Sequence, residues 1–360
     1  MQVLQLPIDH QKYKRSNVMI SAKYKSSLLE SKITAISLMK VTNHDYEDTP
    51  EALVVRHRAS ELRRLLGGNS GSFYRNLDPV AQAMSGRTIG WTDPAKGQFD
   101  YISVVIRANY ENGVFSLYLN PFLREHIEDL TANFTILDLP TMLSFKSDAS
   151  FRLYELLKSK AYYPRGMMGD GHHYISFGLA ELKLELGIVN PENEKVKKIL
   201  RGTKTPNYEK AVEVAPERSY DTWKDFRKWI LQKATDEIND LTDMQVTYTP
   251  VGGGRGGKIY QVDFDVTYKK KEEPVLSEDE RDSFIDFLAD IIPCRLKLKE
   301  YKLIADTSGY DREKVERAVD ALESCEEVEN VVGFLISAIR EGYETASGVK
   351  KSKAYLKVEA

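Results

Sequence analysis

Residues 251–264 read VGGGRGGKIYQVDF, and the way this run is parsed decides the fold. Five glycines surround Arg255, and Gly252-x-x-x-x-Gly257-Lys258 matches most of a nucleotide-binding P-loop. That motif also needs Ser or Thr after the lysine to hold Mg²⁺, and a helix behind it whose first amides face the phosphates. Position 259 is Ile, and Tyr260, Val262, Phe264 and Val266 then recur as apolar residues at every second place. A period of two marks a strand. Upstream, Met244, Val246 and Tyr248 alternate in the same way. The run is therefore a hairpin with a glycine-rich tip that presents Arg255 and Lys258. Whether those charges hold a phosphate or are simply solvated depends on the rest of the chain.

An internal echo gives the hairpin its context. Residues 60–67, SELRRLLG, and 180–187, AELKLELG, both read as short amphipathic helices stopped by glycine. Each is followed by a second helix, over 73–85 in the first half, where Pro79 bends or restarts it, and over 222–241 in the second. Each second helix leads into a hairpin. The first pairs Tyr101–Arg107 with Val114–Leu119 around Glu111-Asn112-Gly113, and Asn-Gly is a strong hairpin turn. A further helix precedes each pair, Ser21–Val41 and Phe151–Lys160, with apolar residues at helical spacing. Helix, helix, helix, hairpin is the plan of a winged helix. In that module the helix before the wing enters the major groove and the wing reaches the flanking backbone. The predicted fold class is α+β, with tandem winged-helix domains followed by a small all-α C-terminal domain.

The helix over 222–241 divides its faces accordingly. Trp223, Phe226, Ile230, Ala234 and Ile238 form an apolar stripe, with Lys224 and Lys228 opposite, Arg227 to one side and Lys233 beyond. Either this is an ordinary solvated face, or its first turns meet phosphates and base edges. On the second reading the candidate DNA contacts are Lys224, Arg227, Lys228, Lys233, Arg255 and Lys258, with Arg75, Gln82 and Arg87 as the sparser counterparts in the first half.

Composition sets the class. The chain has 360 residues, 42% hydrophobic and 29% charged, as in a soluble globular protein of two or three domains. No apolar run approaches the ~20 residues of a membrane helix, and the N-terminus lacks the apolar core of a signal peptide. Two cysteines, Cys294 and Cys325, fit a reducing cytoplasm and are too few for a disulfide framework or a zinc site. The net charge of −3 hides an asymmetry: residues 1–150 carry +1, 151–271 carry +4, and 272–360 carry −8. An acidic end on a mildly basic body suggests separate tasks.

Three stretches carry a family resemblance: 16–41 (SNVMISAKYKSSLLESKITAISLMKV), 151–162 (FRLYELLKSKAY) and 219–248 (SYDTWKDFRKWILQKATDEINDLTDMQVTY). They resemble the initiator Rep proteins of theta-replicating, iteron-type plasmids, over about residues 15–270. The most specific pieces are Arg152 to Leu157 and the run from Tyr220 through Phe226, Ala234, Glu237 to Asn239, Thr242 and Asp243. The resemblance implies two winged helices on double-stranded origin DNA with direct repeats. It implies that the second makes the main base contacts, and that the first touches DNA and serves a homodimer in one state. The expected layout is 1–143 for the first winged helix, 144–271 for the second, 272–345 for an acidic helical domain and 346–360 for a disordered tail. One departure is the stretch 190–219, about thirty residues where the family has a short link. Its Lys195, Lys197, Lys198, Arg201, Lys204 and Lys210 make it either an extra DNA-contacting arm or a flexible solvated insertion.

In the acidic end, Ser277 with Glu280 reads as a capping box opening a helix, and two more helices follow at 312–324 and 329–343. Residues 330–343 resemble a helix of some initiators and helicase-loading proteins. Contact with a host helicase or loader and a plain helical cap both fit.

No catalytic constellation emerges, and neither a cofactor nor a metal is expected. Rolling-circle nucleases use two histidines on one strand face, whereas His172 and His173 are adjacent and point to opposite faces. Asp263 and Asp265 share the polar side of the hairpin, where solvation explains them. The function expected is a non-enzymatic, cytoplasmic bacterial replication initiator. A winged-helix transcriptional regulator is the alternative, and a scaffold that has lost DNA binding is a third.

Overall fold

The computed structural model describes residues 11–67, 70–93, 98–128, 130–161, 171–201, 206–217, 220–253, 257–269, 277–325, 328 and 330–341. It divides into two compact units, Met1–Lys269 and Lys270–Ala360. Arg255 and the lysine-rich tail fall outside the described residues.

The first unit opens with β1 (Lys12–Ser16), α1 (Asn17–Ser21) and α2 (Leu28–Thr42). Of the predicted helix over 21–41, residues 22–27 are instead an extended loop between the end of α1 and the start of α2. The cause is local: Ser27 and Glu30 exchange side-chain and amide bonds in a capping box that starts α2 afresh. Then come β2 (Glu47–Asp48), β3 (Leu53–Arg58), α3 (Ala59–Leu66) and α4 (Ser70–Ser85), with Pro79 inside the last. Four strands follow: β4 (Thr88–Asp93), β5 (Gln98–Ser103), β6 (Val105–Glu111) and β7 (Val114–Leu119). The predicted strand 101–107 is in fact a joint between two hairpins, β4–β5 and β6–β7. Val104-Val105-Ile106 breaks the alternation, and the Val104 amide leaves the ladder to bond Arg87 O. Asn112 and Gly113 both take positive φ in the turn, as Asn-Gly predicts. After α5 (Arg124–Ile127), β8 (Phe134–Asp138) pairs with β1, and α6 (Leu139–Ser144) closes the module.

The second module repeats the plan: α7 (Asp148–Lys160), β9 (His173–Gly178), α8 (Leu179–Glu185), then α9 (Glu194–Arg201) and α10 (Tyr208–Glu213) within the long link. Next, α11 (Trp223–Phe226), a π-helical turn (Arg227–Leu231) and α12 (Gln232–Leu241) run on as one helix. The hairpin β10 (Met244–Gly253) and β11 (Lys258–Tyr268) follows. The echo extends to the sheets. In each module a strand ahead of the helix pair joins the returning strand of the wing, giving the orders β2-β3-β7-β6 and β10-β11-β9.

Helix α7 is the shared spine. It packs on α1, α2 and α12, and every side chain from Ala149 to Leu157 is buried, Arg152 and Glu155 included. Buried charges persist only when paired. Glu155 meets Arg15 of β1 at 2.5 Å, and Arg15 donates also to Tyr24 Oη at 2.7 Å. Burial alone would lower the Arg15 pKa, but Glu155, Tyr24 and Tyr13 together outweigh it and hold the guanidinium charged. Arg152 donates to the backbone oxygens of Glu185, 2.6 Å, and Ala22, 3.0 Å, which ties the two modules together.

His57 of β3 is fully buried, and Ser37 Oγ donates to Ile33 O while accepting from His57 Nε2 at 2.9 Å. Burial, aided by Lys40, lowers its pKa to about 3. A histidine with a depressed folded pKa stays neutral in the fold while the unfolded chain takes up a proton. Stability is therefore lost as pH falls from the usual ~6.5 towards 3. Between pH 7 and 4.5 this group alone should cost about 2–3 kcal/mol. Urea midpoints at the two pH values check it, and a His57→Gln variant should lack that part of the loss. Equal pH dependence in both proteins would refute the assignment.

The second unit contains α13 (Glu278–Ile291), α14 (Leu298–Ser308), α15 (Arg312–Glu323) and α16 (Val331–Glu341) around Phe284, Leu288, Ile304, Val315 and Leu335. Ser277 and Glu280 form the predicted capping box. Helix α14 is additional to the helices read from sequence, and Gly309 ends it in the left-handed conformation. The exposed side of α13 carries Glu278, Asp279, Glu280, Asp282, Asp286 and Asp290. No helix among the described residues is long and apolar enough to cross a membrane.

Candidate nucleic-acid interface

The helix from Trp223 to Leu241 begins at Thr222, whose side chain accepts from the Asp225 amide at 3.1 Å. Phe226, Ala234 and Ile238 of the predicted stripe are fully buried, but Trp223 and Ile230 are only partly so. Leu231 takes the buried place expected of Ile230. The π turn explains the exchange, because its wider loop adds one residue before the stripe resumes. The same displacement pushes Trp229 outward to 45% exposure.

Lys224, Arg227, Lys228 and Lys233 are all exposed, as the sequence suggested. Two of them are organised by Trp229: the ammonium groups of Lys228 and Lys233 lie over its ring at 4.5 and 4.6 Å. An exposed indole flanked by two ammonium groups presents both a flat stacking surface and positive charge. Sequence reading missed Trp229 because a tryptophan within an amphipathic helix is normally assigned to the core. Tyr248 of β10 donates its hydroxyl to Gln232 Oε1 at 2.9 Å; burial raises that tyrosine's pKa and the Arg227 charge opposes the rise. A wing strand is thus tied to this helix at Gln232.

The thirty-residue link does not loosen the helix pair. Lys183 of α8 is buried and donates to the backbone oxygens of Tyr220, 2.8 Å, and Asp221, 3.3 Å, which pins the entry to α11. Desolvation lowers its pKa while Asp221 opposes the shift. The link is itself folded: Val189, Val196, Ala211 and Ala215 make a small core with Leu184 of α8. Of the two readings left open, the flexible insertion is thus ruled out for the described part.

On the wing, Lys258 is exposed at the start of β11 and faces Gly253 across the hairpin. It shares a groove of about 480 Å³ with Lys183, Glu209, Glu213, Asp221 and Tyr260. The groove therefore mixes cations with the carboxylates of α10, so positive charge is concentrated on the helix face rather than here.

In the first module, Arg75 and Gln82 are exposed on α4. Arg87 differs from the expectation. Its guanidinium is ion-paired with the buried Glu30, bonds Lys25 O at 3.1 Å and lies over the Tyr24 ring at 4.8 Å. It is a tie within the fold, because its partners sit indoors beside the loop 22–27, and it is withdrawn from the DNA set. The adjacent histidines part as strand geometry requires: His172 Nδ1 donates to Asp265 at 2.8 Å, while His173 lies edge-on to Tyr268.

Comparison with known proteins bears on this geometry. Residues 12–158 match the family model described as initiator replication protein, WH1, and residues 213–266 match initiator Rep protein, WH2. Together they span more than half of the chain. The gap between them holds β9, α8 and most of the link. No curated protein matches the sequence. Among solved structures, one described as the crystal structure of Pi initiator protein in complex with iteron DNA superposes with a TM-score of 0.53 at 19% identity, covering 74% of this chain and 100% of that chain. At that identity the likeness is one of fold.

Proposed function

Because the chain belongs to the initiator Rep protein family, with both winged-helix models matched in order, we propose that it starts replication by binding repeated sequences in an origin. The observation that carries this reading is the exposed cationic helix, Lys224, Arg227, Lys228 and Lys233, set beside a wing in a fold shared with an initiator described in complex with iteron DNA. The first two turns of that helix read base edges in the major groove. Lys258 and Arg255 anchor the wing to the flanking backbone, and Arg75 and Gln82 supply the first module's contacts. The protein acts without catalysis, in the bacterial cytoplasm. It binds double-stranded DNA, helps open an adjacent AT-rich segment and brings in a host helicase or its loader through the acidic domain at 272–345. The module at 1–143 also serves a homodimer, and 144–271 is the main origin-binding part.

The test is competition. Labelled DNA from around the protein's own gene is bound by the full-length chain and challenged with scrambled DNA, and the protected bases are mapped. Protection confined to direct repeats, with scrambled DNA competing at least about 10³-fold less well, is the expected result. Equal competition by the scrambled sequence would sink sequence-specific initiation.

A further inference from the structure

The link 190–219 reaches across to the first winged helix at three separate places. Arg201, at the end of α9, lies over the ring of Tyr101 on β5 at 4.4 Å. Tyr208, at the start of α10, lies beneath the ammonium of Lys23 at 5.1 Å, and Lys23 also pairs with Glu181 of α8 at 3.2 Å. Glu217, beyond α10, is 3.9 Å from Lys25. Lys23 and Lys25 both belong to the loop 22–27 of the first module, and that loop is seated directly on the second. A Cβ added at Gly187, whose φ is +66°, would meet Tyr24 O at 3.1 Å and Lys25 Cα at 3.2 Å. The link thus touches the first module at its hairpin and along its loop, while its own small core is anchored on Leu184 of α8. These contacts add to the packing of α7 on α1 and α2 and to the two Arg152 bonds that already join the modules, and each further contact restricts the motion left to them.

We propose that the folded link is a brace that fixes the spacing and angle between the two winged helices, so that both reading helices meet DNA in one register. Arg201, Tyr101 and Lys25 act as positioning residues for recognition without touching DNA. The inference rests on the reading that both modules meet the same duplex. Two linked binding elements gain from each other only when their separation matches that of their sites, and a stiff connection makes the gain steep in spacing. A chain with this brace should therefore reject DNA whose two contacted halves are moved apart.

Two measurements on the full-length protein decide it. In a Cys294→Ser, Cys325→Ser background, spin labels at Arg64→Cys on α3 and Gln245→Cys on β10 report the distance between modules without DNA. The braced protein should give one narrow distribution. Arg201→Ala with Lys25→Ala, and separately Tyr101→Ala, should broaden it by several ångströms, while Tyr101→Phe, which keeps the ring, should not. In the second measurement, the protected fragment of the protein's own flanking DNA receives two or five extra base pairs at its midpoint. Five pairs are about half a helical turn. The intact protein should lose about 10²-fold or more in affinity, and the two alanine variants less than about tenfold. Unchanged distances overturn the brace, as does a broadened distribution whose spacing penalty stays at the intact value. If the intact protein binds no fragment specifically, the DNA reading falls and the distance measurement alone decides.

Discussion

Raising the salt from 50 to 200 mM should weaken binding to repeat-bearing DNA by at least about 10³-fold. The number follows from counting cations. The proposed interface draws on the exposed Lys224, Arg227, Lys228, Lys233 and Lys258 of the second module and Arg75 of the first. Each phosphate neutralised releases counterions, and log affinity falls against log salt with a slope of about −0.9 per contact. Six contacts give a slope near −5, and a fourfold rise in salt then costs about 10³. Up to ten contacts would take the loss to about 10⁵. The carboxylates of Glu209, Glu213 and Asp221 beside Lys258 work against the wing's share, which favours the lower end. Fluorescence anisotropy across the salt range measures the slope directly. A slope shallower than about −2 would mean that these side chains face solvent and not phosphate.

Removing the front of the reading helix should have a comparable effect without touching the fold. Lys224→Ala, Arg227→Ala and Lys228→Ala combined are expected to lower affinity for the repeats by about 10³-fold or more, from about 1–3 kcal/mol per specific contact. All three side chains are exposed, so the unfolding midpoint should move little; surface changes of this kind lie within about ±0.5 kcal/mol each. Lys258→Ala provides the contrast. A backbone contact is expected to weaken repeat and scrambled DNA alike and to reduce the salt slope by about one. If the triple variant still bound the repeats at the original affinity, the interface would lie elsewhere, and the interaction scaffold would become the better account. A transcriptional regulator would share the loss on this helix. It would differ only in lacking a helicase or loader partner for the acidic domain.

Much of this architecture could be read from sequence, because its signals are local. Period two in Tyr260, Val262, Phe264 and Val266 separated a wing from a P-loop, and Ser277 with Glu280 marked the start of α13. The echo of SELRRLLG and AELKLELG located both helix pairs. What escaped depends on distant partners. Arg87 looks like a surface cation until Glu30 and Tyr24, some sixty residues earlier, are folded against it. The strands β3 and β9 carry weak patterns of their own and become strands by pairing with β7 and β11. Lys183 reads as an exposed helix residue, yet its ammonium closes on the chain entering α11. Helix α14 starts from Lys297, a residue that rarely caps, with only Glu300 bonding back to its amide at 2.7 Å, so only its glycine stop was visible. Trp229 sits on the wrong side of an ideal helix, and the periodicity argument assumes an ideal helix.

That departure from ideality has a consequence for heredity. At 100° per residue, one additional residue at Arg227–Leu231 turns everything before it by about a quarter of a revolution relative to everything after it. The five residues Phe226, Leu231, Ala234, Thr235 and Ile238 answer to the core, and Lys224, Arg227 and Lys228 answer to whatever lies outside. The two sets are therefore under separate constraint within a single helix. As a replicon and its repeats diverge from those of a competing replicon, the outward set can follow them codon by codon while the inward set stays fixed. A change of repeat then calls for changes confined to a few exposed positions, with the scaffold inherited unaltered.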